Sequence, residues 1–193
     1  MGALSGVGFG GGFCCRFRLV NGDAGVGARV VVRCVRADDE GRFLELAKVS
    51  SAFHRPWVVL PGSGSEFAAY LARFDQVAAV GMVVCLRGGG DLVGMVNLNE
   101  IVRGPYQRGV LGYAAFQPYA GQGYMVEGVG LAVRYAFEGL ELHRVEADIQ
   151  PGNTASVRLV ERLGFRKEGF SPAFIKIGGK WRDHERWALS KDV

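Results

Sequence analysis

Nowhere does the sequence run to the roughly 18 consecutive apolar residues that a membrane-spanning helix needs, so no membrane association is expected. Its first residues lack the charged start and long apolar run of a secretory signal. The cysteines, Cys14, Cys15, Cys34 and Cys85, show neither C-x-x-C spacing nor histidine pairing, so neither a zinc site nor any other metal is expected. Without an export signal they are expected to be reduced thiols in the cytoplasm. A dense block of lysine and arginine is missing as well. The 23 basic and 19 acidic residues leave a net charge of +4, and the basic ones are scattered. That pattern argues against direct nucleic-acid binding and suits an anionic ligand such as a nucleotide phosphate. The Gly-Lys-Ser/Thr of a Walker A loop is absent too.

What is present is the composition of a globular chain. Hydrophobic residues make up 49% and charged residues 22% of 193, enough for one domain with a real core. Residues 1–28 stand apart, rich in glycine and without periodicity. They read as a flexible tail, leaving 29–193 as a single domain. Gly6-Val7-Gly8-Phe9-Gly10-Gly11 fits G-x-G-x-x-G in form only, because no strand precedes it and no helix pattern follows.

The β-branched run from Arg29 to Val35 predicts a strand. Ala37-Asp38-Asp39 offers a helix start, with Phe43, Leu44, Leu46 and Ala47 on one face, and Pro56 ends that helix. Glu66 to Phe74 predicts a second helix. Apolar runs at Met82–Leu86 and Leu92–Leu98, joined by Arg87-Gly88-Gly89-Gly90-Asp91, predict a hairpin, and Val110–Phe116 a further strand. Met125, Val129, Ala132, Val133 and Ala136 recur at helical spacing. Val145, Ala147 and Ile149 alternate as a strand, a short helix follows up to Gly164, and a closing hairpin turns at Gly178-Gly179. The order implies a mixed α/β (α+β) domain. Its central sheet is mostly antiparallel, with one parallel crossover and flanking helices.

The segment from Phe116 to Met125 draws attention. A strand enters it and an amphipathic helix leaves it. Gly121 and Gly123 let the backbone turn and let an anion approach closely. The free N–H groups and positive dipole end of the following helix suit a pyrophosphate. Read alone, the loop is also an ordinary turn. About thirty residues on, Pro151-Gly152-Asn153-Thr154-Ala155-Ser156 opens another helix, where Asn153 is also a plain N-cap.

Together these two elements resemble the GNAT acetyltransferase superfamily, and within it the RimJ/RimL type, which acetylates protein N-termini. The features that match are Leu111-Gly112-Tyr113, the run from Ala120 to Glu127, Leu142-His143-Arg144-Val145-Glu146-Ala147, Pro151 to Ser156, and Leu163-Gly164-Phe165. His54-Arg55-Pro56-Trp57 and Trp181-Arg182-Asp183-His184 also look like the RimJ branch. The superfamily loop commonly starts with Arg or Gln and ends with Gly or Ala, where this chain has Ala120 and Met125. Gly128 stands where the branch usually has alanine, at a cost in helix propensity of about 1 kcal/mol.

The resemblance implies a GNAT-like acyl-CoA N-acyltransferase fold and acetyl-CoA as co-substrate. Backbone groups at Ala115 and Phe116 would pair with the pantetheine arm, and an N–H there would face the thioester oxygen. The pyrophosphate would sit on Gly121, Gln122, Gly123, Tyr124 and Met125, and Asn153 would bond the cofactor arm. Ser156 matches a proposed proton donor to the departing thiolate. Glu100, at a central strand end, is the candidate base, and also reads as an ordinary strand-end carboxylate. His54 and Arg55 would line the acceptor groove. Glu127 reads as complementing the helix dipole, and His184, beside Asp183, as surface or hairpin packing, with acid–base work as the alternative. The implied acceptor is the α-amine of a protein N-terminus starting with alanine or serine, a ribosomal protein among the implied acceptors. A small amine (polyamine, aminoglycoside or amino acid) and a non-catalytic coenzyme A sensor stay open.

Overall fold

The computed structural model of the chain describes residues 27–191. The expected tail and the Gly6–Gly11 motif fall outside them, apart from the last two tail residues. One seven-stranded sheet organises the described chain, in the order β1-β2-β3-β4-β5-β7-β6. Its strands are β1 (Val30–Cys34), β2 (Val80–Leu86), β3 (Leu92–Val102), β4 (Arg108–Ala115), β5 (Arg144–Ile149), β6 (Arg166–Ile177) and β7 (Lys180–Ser190). Every neighbouring pair is antiparallel except β4 with β5. The helices are α1 (Glu40–Val49), α2 (Ser51–His54), α3 (Gly64–Leu71), α4 (Tyr124–Arg134) and α5 (Thr154–Arg162). The parallel pair needs a crossover, and α4 supplies it.

Strand alternation splits the core between the two faces of the sheet. Along β2, Val80, Met82 and Val84 join the cluster that holds Val129 and Ala132 of α4 and Val160 of α5. Val83 and Cys85 point the other way, to Phe43 and Leu46 of α1 and Phe67 of α3. Phe43, Phe67 and Phe116 are fully buried, and Phe43 meets the other two rings at 5.1 and 5.4 Å. Each such burial contributes about 1.5–3 kcal/mol.

Local chemistry fixes the ends. Ser63 caps α3 by accepting the Glu66 N–H at 3.3 Å, while the Glu66 carboxylate takes the Gly62 N–H at 2.7 Å. Gly178 and Gly179 both have positive φ, 57° and 80°, as the expected two-residue hairpin turn requires. The expected strand at 173–177 starts earlier, at Arg166. β6 lies at the sheet edge and its register shifts between Ser171 and Ile175, which accommodates Pro172. Cys85 is a free, buried thiol, but Cys34 is disulfide-bonded, against the expectation of reduced thiols. Among the described residues no helix is long and apolar enough to cross a membrane.

Candidate active site

The sheet opens at one place. β4 and β5 pair only from Arg108↔Arg144 to Leu111↔Ala147, yet β4 continues to Ala115 and β5 to Ile149. Beyond Leu111 the two strands part. On its other edge β4 stays paired with β3 up to Gly94↔Ala115. The Phe116 N–H goes to Val93 O at 2.9 Å, toward β3. Alternation therefore turns the backbone groups of Tyr113 and Ala115 toward the gap. The gap forms part of a cavity of about 470 Å³, within the usual range for small-molecule sites.

One wall is the loop between β4 and α4. Gly121 and Gly123 have φ of +76° and +80°, a left-handed backbone that costs glycine nothing. Ala120, Gly121, Gly123 and Met125 line the cavity. Arg29, just before β1, braces the loop from its own side, bonding Gln122 O at 2.9 Å and lying over the Tyr124 ring at 4.8 Å. Glu127 accepts the Arg29 N–H at 2.8 Å and the Val30 N–H at 3.3 Å, tying β1 to the first turn of α4. Burial pushes its carboxyl up, but these backbone bonds and the Arg29 guanidinium outweigh that and hold it low. Behind the loop, Ser50 Oγ takes the Gln117 N–H at 2.9 Å.

The facing wall is the start of α5. Asn153 Oδ1 caps the helix by accepting the Ser156 N–H at 3.2 Å. Ser156 Oγ lies 2.5 Å from the Tyr113 hydroxyl, joining α5 to β4 across the cavity. Burial pushes the Tyr113 phenol up to about 12, against the lowering effect of Ser156, so it stays protonated and can donate.

The remaining wall is polar. His54, at the end of α2, is buried, and its Nε2 lies 2.7 Å from Ala115 O. That nitrogen therefore carries the proton. Burial lowers the His54 pKa, against the raising effect of this bond, and keeps the ring neutral. Gln150 donates to Trp57 O at 3.1 Å and anchors the segment after α2 to the end of β5. Asp148 and His184 complete the wall. Burial pushes the Asp148 carboxyl up against the pull of Arg186. The Arg186 Nε sits 2.5 Å from Asp148 Oδ1 in an ion pair.

A cavity with a glycine-turned helix N-terminus on one side and a parted parallel strand pair on the other suits a long anionic ligand threaded between two helices. The acetyltransferase (GNAT) domain model matches residues 29–166, most of the chain. The chain belongs to the GNAT acetyltransferase family. This GNAT chain is 44% identical over 133 residues to "Probable N-acetyltransferase YjcK" of Bacillus subtilis (strain 168), covering 69% of this chain and 74% of that one. It is 31% identical over 170 residues to the ribosomal protein uS5-alanine N-acetyltransferase of Escherichia coli (strain K12), covering 84% and 88%. Among solved structures, Mycobacterium smegmatis RimJ in complex with CoA-disulfide shares the fold, with a TM-score of 0.77 at 23% identity, covering 83% of this chain and 81% of that one. The chain is thus an N-acetyltransferase with the GNAT fold.

The cavity gathers many of the residues expected from the sequence: Ala115, Gly121, Gly123, Met125, Asn153, Ser156 and His54. Others lie elsewhere. The Phe116 N–H and C=O bond Val93 O and the Tyr119 N–H, and its ring is fully buried, so nothing of it is open to a ligand. Gln122 is exposed, with its side chain folded back to Pro118 O, and Tyr124 sits beneath Arg29. Neither lines the cavity, nor does exposed Arg55. Glu100 is not near it. It falls at the register break between Asn99 and Val102, with φ of +49°, at the far end of β3 from Gly94↔Ala115. Its carboxylate is exposed, 4.0 Å from Arg108. Glu127 does more than complement a dipole, since it fixes β1. His184 is not surface packing, being 3% exposed on the cavity wall. Tyr113 and Asp148 are the site residues that sequence reasoning passed over, and His184 is one for which packing was the favoured reading. The Leu111-Gly112-Tyr113 motif held the signal for the first.

Proposed function

We propose that this GNAT enzyme transfers the acetyl group of acetyl-CoA to the N-terminal α-amine of a protein in the cytoplasm, with a ribosomal protein starting in alanine or serine as the favoured acceptor. One observation carries the reading: the parted β4–β5 edge runs from the glycine loop to the Tyr113–Ser156 pair, a path suited to an extended thioester. The relationship to the uS5-alanine enzyme, over most of both chains, supports the choice of acceptor.

Acetyl-CoA supplies a thioester, whose carbonyl is open to attack by a neutral amine. The backbone N–H groups from Gly121 to Met125 and the α4 dipole hold its pyrophosphate without help from a side chain at Ala120. The Ala115 N–H, turned toward the gap, is positioned to bond the developing oxyanion. Ala115 O is engaged by His54, which fixes that strand end. At Ser156 the hydroxyl has one proton. With the protonated Tyr113 phenol donating to Oγ, the Ser156 proton is free to point into the cavity toward the departing sulfur. An α-amine of pKa about 7.7–8.0 is neutral roughly 300 times more often near pH 7 than lysine at about 10.4, which favours a chain terminus as acceptor.

Comparing kcat/KM for acetyl transfer across free-N-terminal peptides, N-blocked lysine peptides and polyamines tests this. The proposal expects peptides beginning with alanine or serine to exceed the other classes by at least an order of magnitude. Preference for polyamines would replace the acceptor while keeping the chemistry, and cofactor binding without any turnover would point to a sensor.

A further inference from the structure

We propose that His184 is the general base that removes the proton from the attacking amine. This rests on the acetyl-transfer reading above, whichever amine is the acceptor. His184 stands on β7, next to the strand that lines the open end of the cavity: its neighbours Glu185 and Arg186 pair with Ile149 and Asp148. It is 3% exposed and lines the same cavity as Ala115 and Ser156.

The hydrogen bonding of the ring assigns its protons. His184 Nδ1 lies 3.0 Å from the backbone oxygen of Arg182. A carbonyl only accepts, so Nδ1 carries the proton, and in the neutral ring the lone pair belongs to Nε2. Among the described residues no hydrogen bond is made to Nε2. The Phe174 ring, edge-on with centroids 6.2 Å apart, packs beside the imidazole and steadies it. A base with one nitrogen held by a fixed acceptor and the other open toward a reacting group is the arrangement general-base catalysis uses.

The other acid–base groups of the cavity are less suited. His54 has the opposite tautomer, with Nε2–H committed to Ala115 O. Asp148, whose carboxyl burial pushes up, has its Oδ1 held 2.5 Å from the Arg186 guanidinium, so that oxygen is already committed to a cation. Glu100 is at the wrong end of β3.

The step balances as follows. The amine lone pair forms the C–N bond at the thioester carbonyl, and the carbonyl π pair moves to oxygen. The nitrogen then gives a proton to His184 Nε2. Collapse of the oxyanion breaks the C–S bond, leaving the electron pair on sulfur. The thiolate takes a proton from solvent along the Ser156 hydrogen bond, and His184 returns its own to solvent.

The test uses His184→Asn and His184→Ala in the full chain. An asparagine amide can still donate to Arg182 O where Nδ1 did, but has no base beyond it. The expected result for His184→Asn is a loss in kcat of about 100-fold or more, within the range for general base removal, with the affinity for acetyl-CoA unchanged. Added imidazole should restore part of the activity of His184→Ala in proportion to its concentration. Three results would overturn the assignment: His184→Asn retaining activity within about threefold, loss of cofactor binding in that variant, or a His184→Ala deficit that imidazole does not relieve. Failure of the acetyl-transfer reading itself looks different, because the unmodified enzyme would then turn over no amine at all.

Discussion

Replacing Gly123 by alanine tests the loop through a perturbation of one methyl group. The residue sits at φ +80°, where a side chain costs about 1–2 kcal/mol. The new Cβ would also lie 3.2 Å from Arg29 Nη2, closer than ordinary contact, so the guanidinium that bonds Gln122 O must shift. Gly121→Ala separates the two effects. Its φ is +76°, but nothing lies within 4 Å of the added carbon, so it carries backbone strain alone. Gly89→Ala, with open space and no positive φ, is the neutral control. The strain can appear as lost stability, if the loop holds its shape, or as lost affinity, if the loop relaxes and its N–H groups turn away. The sum is about 1–2 kcal/mol for either glycine, slightly more for Gly123. Expressed wholly as affinity, that is about 5- to 30-fold weaker binding of acetyl-CoA. Titration calorimetry with acetyl-CoA and urea unfolding together recover the sum. If both variants bind within twofold of the unmodified chain and are equally stable, the loop is not held in the conformation the argument needs.

Tyr113→Phe removes the hydroxyl bonded to Ser156 Oγ, and steady-state kinetics should show kcat lower by about 2- to 12-fold, the worth of one hydrogen bond, with KM for acetyl-CoA unchanged. Gly128→Ala regains about 1 kcal/mol of helix propensity. Its Cβ would be 2.6 Å from Val84 Cγ1, and overpacking costs about 1–3 kcal/mol, so urea unfolding should show a net loss. Combining it with Val84→Ala should cost less than the sum of the two changes. Asp39 is buried and joined to Arg33 at 2.6 and 2.8 Å. Burial pushes its carboxyl up, but the Arg33 guanidinium and the Arg36 N–H outweigh that and hold it below its ordinary value. The stability it contributes is therefore present above an unfolded pKa of about 3.9 and lost as pH falls through the lower folded value. Unfolding curves should show the advantage of the unmodified chain over Asp39→Asn shrinking as pH drops below about 4.

The periodic parts of the fold were legible. Gly178-Gly179 marks its hairpin because a two-residue turn demands positive φ at both positions, and the alternation of Val145, Ala147 and Ile149 marks β5 because its inward side packs on α4 and α5. The first half of β6 was not legible, since an edge strand needs no apolar face and tolerates Pro172. Gly128 read as a weak point in α4, yet Val84 leaves no room there for a Cβ. In the site, the glycine loop and the Asn153 cap follow from local chemistry and could be read directly. Glu100 misled because a register break on β3 is invisible in composition and the strand runs away from the cavity. Phe116 misled by one residue, and in a strand one residue reverses which edge the backbone faces. The partnership of Tyr113 with Ser156, 43 positions apart, exists only once the crossover brings β4 and α5 together. His184 looked like part of an exposed hairpin whose neighbour Trp181 is indeed 63% exposed, and only the pairing of β7 with β5 buries it.

The most direct test is a single incubation of the full chain with acetyl-CoA and an alanine-initiated peptide that also contains lysine, with thiol release measured and the product fragmented by tandem mass spectrometry. Acetyl on the α-nitrogen, in amounts equal to the thiol released, is the predicted result. Acetyl on lysine, or thiol release without acetylated peptide, would contradict it.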